Sequence, residues 1–356
     1  MEQRIAIDCR FAPSCSGLGT YTRNIVRHLL LRGDPFAYTL FVRDTGEEWL
    51  NALPTGSFQL SAFRFPHYSV AEQLFLPRAI RKTRADLLFA PHFNVPFFCP
   101  APFVMTIHDL ILHTRVHAAS RWKHAAYRAL FRHAVRRARR VIAVSAYTAG
   151  EVGREYGSKE GIVVIREGVD ARFCAQTRED SAKLRNAYGL RRPFFLYVGS
   201  NKPHKNLQML VDAYAALGGT ATELVLLTGD RSVSDLRLVP GVRVFTGVRD
   251  DDMALFYSAA KAFVTATLAE GYCLPIAEAL ACGCPVIATN IGAIPEIAGK
   301  SALLIEPTIH ALVRALKHSP AAPALPPQPR SWQDAAAETA AVLHSAILTP
   351  WSTSEP

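Results

Sequence analysis

Two carboxylates with seven residues between them stand out in the stretch Glu270-Gly271-Tyr272-Cys273-Leu274-Pro275-Ile276-Ala277-Glu278. Pro275 suits the first turn of a helix, where its missing N–H leaves no hydrogen bond unmade. Gly283 suits the left-handed position past the helix end, with Pro285 as a stop and Val286-Ile287-Ala288 as the next strand. The run from Lys261 to Ala266 before them reads as a short buried parallel strand. Glu270 then falls in the loop at the C-terminal edge of that strand, and Glu278 about one turn into the helix. Ligands of open α/β sheets bind at that edge. Two carboxylates beside a helix N-terminus suit a polar, phosphorylated ligand.

Other residues suit the same chemistry. Ser200, Lys202, His204 and Lys205 follow the strand-like Pro193–Val198 and precede a helix, which concentrates positive charge where a diphosphate would sit. His108-Asp109 ends the apolar strand 103–107, and a histidine there can hydrogen-bond a ligand or be a core residue tethered by Asp109. In Ser16-Gly17-Leu18-Gly19-Thr20-Tyr21, Gly17 and Gly19 let backbone amides approach a phosphate or sugar at a helix start. A dinucleotide reading of that loop has Asp44 as its ribose acid, but the loop from Asp8 is long and Thr22 replaces the third glycine. Asp250-Asp251-Asp252 superficially matches an Asp-x-Asp metal motif, and reads better as acids in a helix's first turn. Cys282-x-Cys284 has no second ligand pair at zinc spacing, so no metal is expected.

The elements that must hold these residues alternate strand and helix in both halves, which argues two mostly parallel sheets. The 356 residues, 49% hydrophobic and 20% charged, suffice for two cores. We expect domains at 1–170 and 171–330, with the polar segment Asp170–Asp180 connecting them and 331–356 forming a last helix and tail. The cleft between the two is the default site. No apolar run approaches the roughly 18 residues that span a bilayer, and no secretory signal is visible. Seven scattered cysteines fit a reducing cytosol. The net charge of +10 admits nucleic acid, anionic lipid or phosphorylated substrates and selects none of them. Between Asp109 and Glu151 there is no acid, yet Arg121, Lys123, Arg128, Arg132, Arg136, Arg137, Arg139 and Arg140 fall there, interleaved with Trp122, Tyr127, Leu130 and Phe131. Such a helix can dock on anionic headgroups, or be a solvated face over ordinary core.

The sequence resembles the retaining, GT-B-fold glycosyltransferases of family 4. The likeness rests on EGYCLPIAEALACGCPVIATNIGAIPEI together with SGLGTYTRNIVRHL, SVAEQLFLPRAIRKTRADLLFAPH, TIHDLI, VIREGVD, YVGSNKPHKNL and FTGVRDDDMALFYSAAKAFV, and extends over nearly the whole chain. Within the family it is similar to bacterial mannosyltransferases of O-antigen and exopolysaccharide synthesis. The resemblance implies two Rossmann-like domains, a first that takes an acceptor and a second that takes a nucleotide-sugar. It implies that Glu278 binds the ribose, and that Glu270 and the backbone of Gly271, Tyr272, Cys273 and Leu274 hold the donor sugar. Lys205 would neutralise the diphosphate, His108 would contact the sugar, and Gly247, Val248 and Arg249 would border the base. The last helix would brace the first domain. No cofactor or metal is implied.

The chain departs from the family pattern at Cys273, usually Gly, at His204, usually Arg, and at Ala266–Ala269. The expected reaction is hexose transfer, mannose from GDP-mannose, to a lipid-linked glycan at the inner face of the cytoplasmic membrane. A UDP-, dTDP- or GDP-deoxysugar donor, a sucrose- or trehalose-type acceptor, and a basic nucleic-acid-binding protein remain as alternatives.

Overall fold

In the computed structural model, the strand–helix alternation builds two all-parallel sheets, of seven and six strands. The structure describes residues 3–56, 58–111, 121–157, 161–218, 221–229, 231–321 and 329–348, without the side chains of 121–124, 231 and 232. The chain divides into two compact units, Met1–Glu167 with Trp332–Pro356, and Gly168–Ser331.

Unit 1 runs β1 (Gln3–Asp8), α1 (Gly17–Leu31), β2 (Phe36–Val42), β3 (Phe58–Ala62), α2 (Val70–Thr83), β4 (Leu87–Ala90), β5 (Phe103–Ile107), α3 (Arg121–Arg137), β6 (Arg140–Ala143), α4 (Ala146–Tyr156) and β7 (Ile162–Val164). The strand order is β3-β2-β1-β4-β5-β6-β7, so the winding reverses between β1 and β4. β4 and β5 are buried on both faces, which is why they read as unbroken apolar runs rather than alternating ones. Helix α2 starts on a capping pair that ties its first turn to the preceding loop: Ser69 Oγ accepts from Glu72 N at 3.1 Å, and the Glu72 carboxylate accepts from Tyr68 N at 2.6 Å.

Unit 2 runs α5 (Arg178–Ala187), β8 (Phe194–Val198), α6 (Leu207–Ala215), β9 (Glu223–Leu227), β10 (Val242–Phe245), α7 (Met253–Ala259), β11 (Ala262–Thr265), α8 (Leu274–Ala281), β12 (Val286–Thr289), α9 (Ile294–Ala298), β13 (Ala302–Ile305) and α10 (Ile309–Lys317). The order β10-β9-β8-β11-β12-β13 reverses between β8 and β11. Helix α11 (Trp332–Leu348) belongs to unit 1, where Trp332 meets Tyr21 edge-to-face at 5.9 Å.

The chain leaves unit 1 at Glu167–Gly168. Residues 170–180, read above as a connection, already belong to unit 2. There Gln176 N donates to Ser258 Oγ at 3.1 Å, and the Thr177 hydroxyl accepts from Asp180 N to cap α5. The polarity that suggested a linker is that of a capped first helical turn.

Candidate active site

The unit 2 motifs meet where the sheet order reverses. Lys205 comes from the 3-10 turn Pro203–Lys205 after β8, and Glu270 from the loop after β11. Lys205 Nζ lies 2.6 Å from Glu270 Oε1, with both side chains largely buried. Burial alone would lower the lysine's pKa, but the adjacent carboxylate overrides it and holds the pKa above its ordinary value. The ammonium is therefore charged, and its other two N–H directions suit a second anion.

Several residues that the motif reading does not find fix these loops. Thr289 Oγ1 donates to Thr267 O at 2.6 Å, and Thr267 Oγ1 donates to His204 O at 2.9 Å, while Leu268 N donates to the same carbonyl at 2.7 Å. This chain of bonds ties β12, the Glu270 loop and the Lys205 turn into one block, and both threonines are buried. On the other side Ala293 N donates to Glu270 O at 3.1 Å. Gly292, at φ +63°, lies so close that a Cβ there would stand 2.4 Å from Glu270 O. Tyr197 donates to Ser200 O at 2.7 Å, which fixes the turn after β8.

Cys273 precedes α8 in the left-handed conformation, φ 72° and ψ 63°. That conformation explains why the family pattern has glycine there, since only glycine adopts it without strain. Burial pushes the Cys273 thiol's pKa up, and Glu270 adds to the shift, so the sulfur is a protonated thiol and not a nucleophile. Glu278 Oε2 accepts from Tyr257 Oη at 2.9 Å. Tyr257 is completely buried, and burial and then Glu278 raise its pKa, so it keeps the proton it donates.

The remaining unit 2 candidates are less enclosed. Lys202 is exposed, and His204 contributes its carbonyl to the framework just described. Gly247, at φ +69°, and Arg249 are exposed after β10, and Val248 is half-buried. Arg249 lies 3.5 Å from Asp251, Asp250 3.7 Å from Arg172, and Tyr188 donates to Asp252 at 2.7 Å. None of the three aspartates caps α7 through its side chain; they act through charge in the turn before it. Among the described residues no group of three His, Cys, Asp or Glu is placed to hold a metal ion.

In unit 1, His108 follows β5 and both its ring nitrogens are engaged. Nδ1 is 3.2 Å from Glu167 Oε1 and Nε2 is 2.9 Å from Pro91 O. Burial disfavours the charged ring, but the Glu167 hydrogen bond outweighs it and the pKa is raised. In this arrangement His108 offers no free ring nitrogen to a sugar, and its tether is Glu167; Asp109 instead accepts from Ile111 N at 2.9 Å. Gly17 is exposed at the start of α1, as an amide donor must be. Gly19 is buried for a different reason: a Cβ there would lie 1.9 Å from Ser14 O, so the loop packs on its backbone.

The basic helix is narrower than its composition suggests. Arg128, Arg132 and Arg136, four residues apart on one face of α3, are exposed, and Arg128 pairs with Glu155. Arg137 is half-buried, Arg139 donates to Ala346 O at 3.2 Å, and Arg140 folds over the Arg139 carbonyl. The Arg121 and Lys123 side chains lie outside the described residues. Beside the exposed face, Phe97 stacks on His133 at 3.7 Å, and its N–H donates to Gln73 of α2 at 2.8 Å. Phe98, Val70, Leu74 and Phe75 are exposed around this junction.

Comparison with known proteins defines the class. Two family profiles together match most of the chain: "Glycosyltransferase Family 4" over residues 15–173 and "Glycosyl transferases group 1" over 192–319. Among solved structures, Anabaena HepE in complex with UDP and glucose superposes with TM-score 0.75 at 19% identity, covering 97% of this chain and 100% of that one. Sucrose-phosphate synthase from Thermosynechococcus elongatus gives TM-score 0.73 at 20% identity, covering 97% and 96%. The chain belongs to the family 4 glycosyltransferases, and its two Rossmann-like units are those of the GT-B fold. Among named relatives it is similar to O-antigen chain mannosyltransferase B of Escherichia coli, 25% identical over 324 residues that cover 82% of this chain and 83% of the relative.

Proposed function

We propose that this glycosyltransferase moves mannose from GDP-mannose to a hydroxyl of a lipid-linked glycan, with retention of anomeric configuration and without a metal ion. The observation that carries the reading is the Lys205–Glu270 pair, set beside the start of α8 where the unit 2 sheet reverses. Lys205, with the α8 amides, receives the donor diphosphate and stabilises the charge that develops on it as the bond to the sugar breaks. The bond from the anomeric carbon to the phosphate oxygen breaks, and its electron pair goes to the phosphate. The acceptor oxygen bonds the same face of that carbon, and its proton passes to the departing phosphate. Glu270 positions the sugar hydroxyls while paired to Lys205. Glu278, held by Tyr257, takes the ribose hydroxyls. The similarity to an O-antigen mannosyltransferase supports the choice of mannose.

The basic stripe of α3 and the neighbouring exposed apolar side chains support docking on the anionic inner face of the cytoplasmic membrane, where a lipid-linked acceptor resides. No described helix is long and apolar enough to cross a membrane. The likeness to sucrose-phosphate synthase keeps a second reading, transfer to a soluble sugar acceptor. Transfer assays with both acceptor classes, run on the wild type and on Lys205→Ala, Glu270→Gln and Glu278→Ala, test the proposal. We expect the first two variants to lose most transfer and the third chiefly to weaken donor binding. Wild-type kinetics in all three would sink it.

A further inference from the structure

Cys273 combines two features that a helix start does not call for. It stands just before α8 at φ 72°, and its side chain makes no hydrogen bond to the first helical turn. A residue in that position normally takes extended backbone and caps the helix through its side chain. Of the other described non-glycine residues at positive φ, Arg84 closes α2 and Asn206 is of a type that tolerates the conformation. Cys273 has neither reason. It keeps a side chain in strained backbone at a point where the family pattern has glycine, and such strain gathers where a function holds it.

What the side chain gains is a place beside Glu270. Cys273 and Glu270 are each 8% exposed, and the Cys273 thiol hydrogen-bonds the Glu270 carboxylate. Burial keeps the thiol protonated and a carboxylate can only accept, so the S–H donates. Lys205 already holds Glu270 Oε1 at 2.6 Å. An ammonium on a four-carbon stem fixes that distance but leaves the carboxylate plane able to turn about its last bond. A second donor, carried on backbone at the start of α8, removes this rotation. That backbone is itself fixed, because Ile276 N donates to Cys273 O at 3.0 Å. A bond that is weak in water is stronger in so enclosed a place, and glycine at 273 could not make it.

We propose that Cys273 is a positioning residue for transfer, its thiol donating to Glu270 so that the carboxylate is set in the plane that orients the donor sugar. This rests on the transferase reading above and deepens it. The test uses the full chain as wild type, Cys273→Ser, Cys273→Ala and Cys273→Gly, with Cys273→Ala also made in a Glu270→Gln background. Each is measured for GDP release from GDP-mannose, for calorimetric binding of GDP-mannose and for melting temperature.

Turnover should follow the donor, and stability the backbone. Cys273→Ala and Cys273→Gly should each lose about fivefold in kcat, with donor affinity, set by Lys205 and Glu278, kept. Cys273→Ser, whose hydroxyl also donates, should recover most of that loss. Cys273→Gly escapes the left-handed strain, so it should melt above Cys273→Ala while turning over no faster. In the Glu270→Gln background Cys273→Ala should cost less than about twofold, because the carboxylate it acts through is gone. Turnover that ranks with melting temperature, Cys273→Ser no faster than Cys273→Ala, or the full loss in the Glu270→Gln background would overturn the assignment. Cys273→Gly suits the backbone and carries the test should the others fold poorly: wild-type kcat in it would overturn the assignment as well. A wild type that neither binds GDP-mannose nor releases GDP from it would instead overturn the transferase reading.

Discussion

Gly292→Ala should damage the site without touching a ligand contact. At φ +63°, Gly292 would carry a Cβ 2.4 Å from Glu270 O, against the 3.4 Å or more of an ordinary contact, so the Glu270 backbone would retreat by about 1 Å. That retreat breaks the 3.1 Å bond from Ala293 N and misaligns the 2.6 Å pair with Lys205. Left-handed strain costs about 1 kcal/mol, and the lost hydrogen bond about as much again. The total expected loss of stability is therefore about 2 kcal/mol. A misplacement of about 1 Å at a reacting group costs roughly a hundredfold in turnover. Gly218→Ala is the control, because Gly218 has φ +70° with nothing within 4 Å of the added Cβ. It should cost only the strain, about 1 kcal/mol, and leave transfer intact. The assays are urea unfolding followed in unit 2 and steady-state transfer from GDP-mannose. Equal stability and equal turnover in the two variants would refute the reasoning.

Three further outcomes follow from the geometry. Tyr257→Phe removes the hydrogen bond to Glu278 and should raise the donor KM about tenfold with kcat nearly kept; an equal fall in kcat with KM unchanged would place Glu278 elsewhere in the mechanism. The raised pKa of His108 means that its pairing with Glu167 stabilises unit 1 fully below pH 6.5, the ordinary value, and that this support is lost as pH rises through the higher folded value. The gap in melting temperature between wild type and His108→Gln should therefore shrink on going from roughly pH 6 to pH 9, and a gap that grows would contradict the assigned ion pair. Arg132→Gln/Arg136→Gln should weaken co-sedimentation with anionic vesicles by about 2 kcal/mol, near thirtyfold, and Phe98→Ser should weaken it further; unchanged sedimentation in all of these would discard the docking face.

Much of the fold is legible in the sequence because parallel strands buried on both faces leave unbroken apolar runs, such as 87–90 and 103–107. Pro275 and Gly283 mark the ends of α8 for equally local reasons. Lys205 and Glu270 are legible as members of strand-end loops, although their 2.6 Å contact is not, since it spans 65 positions. The supports are hidden for the same reason. Nothing near Thr289 says that its hydroxyl holds Thr267, and nothing near Gly292 says that a carbonyl 22 residues earlier excludes a side chain. Gly19 illustrates the converse, a glycine in a phosphate-loop setting whose need for a bare backbone comes from packing on Ser14. His108 could not be separated from a core histidine by sequence, because Glu167 lies 59 residues away. The basic run overcounted the exposed charges, since Arg139 and Arg140 serve the backbone of α11 and the approach to β6.

In the proposed reaction the turn after β8 and helix α8 hold a nucleotide-sugar through Lys205 and Glu278. The most direct measurement is calorimetric titration of the full chain with a panel of GDP-, UDP- and dTDP-sugars, repeated on Lys205→Ala and Glu278→Ala. We expect GDP-mannose to bind the wild type most tightly, and each variant to bind it at least about tenfold more weakly. Binding of no nucleotide-sugar, or equal binding by wild type and both variants, would contradict it.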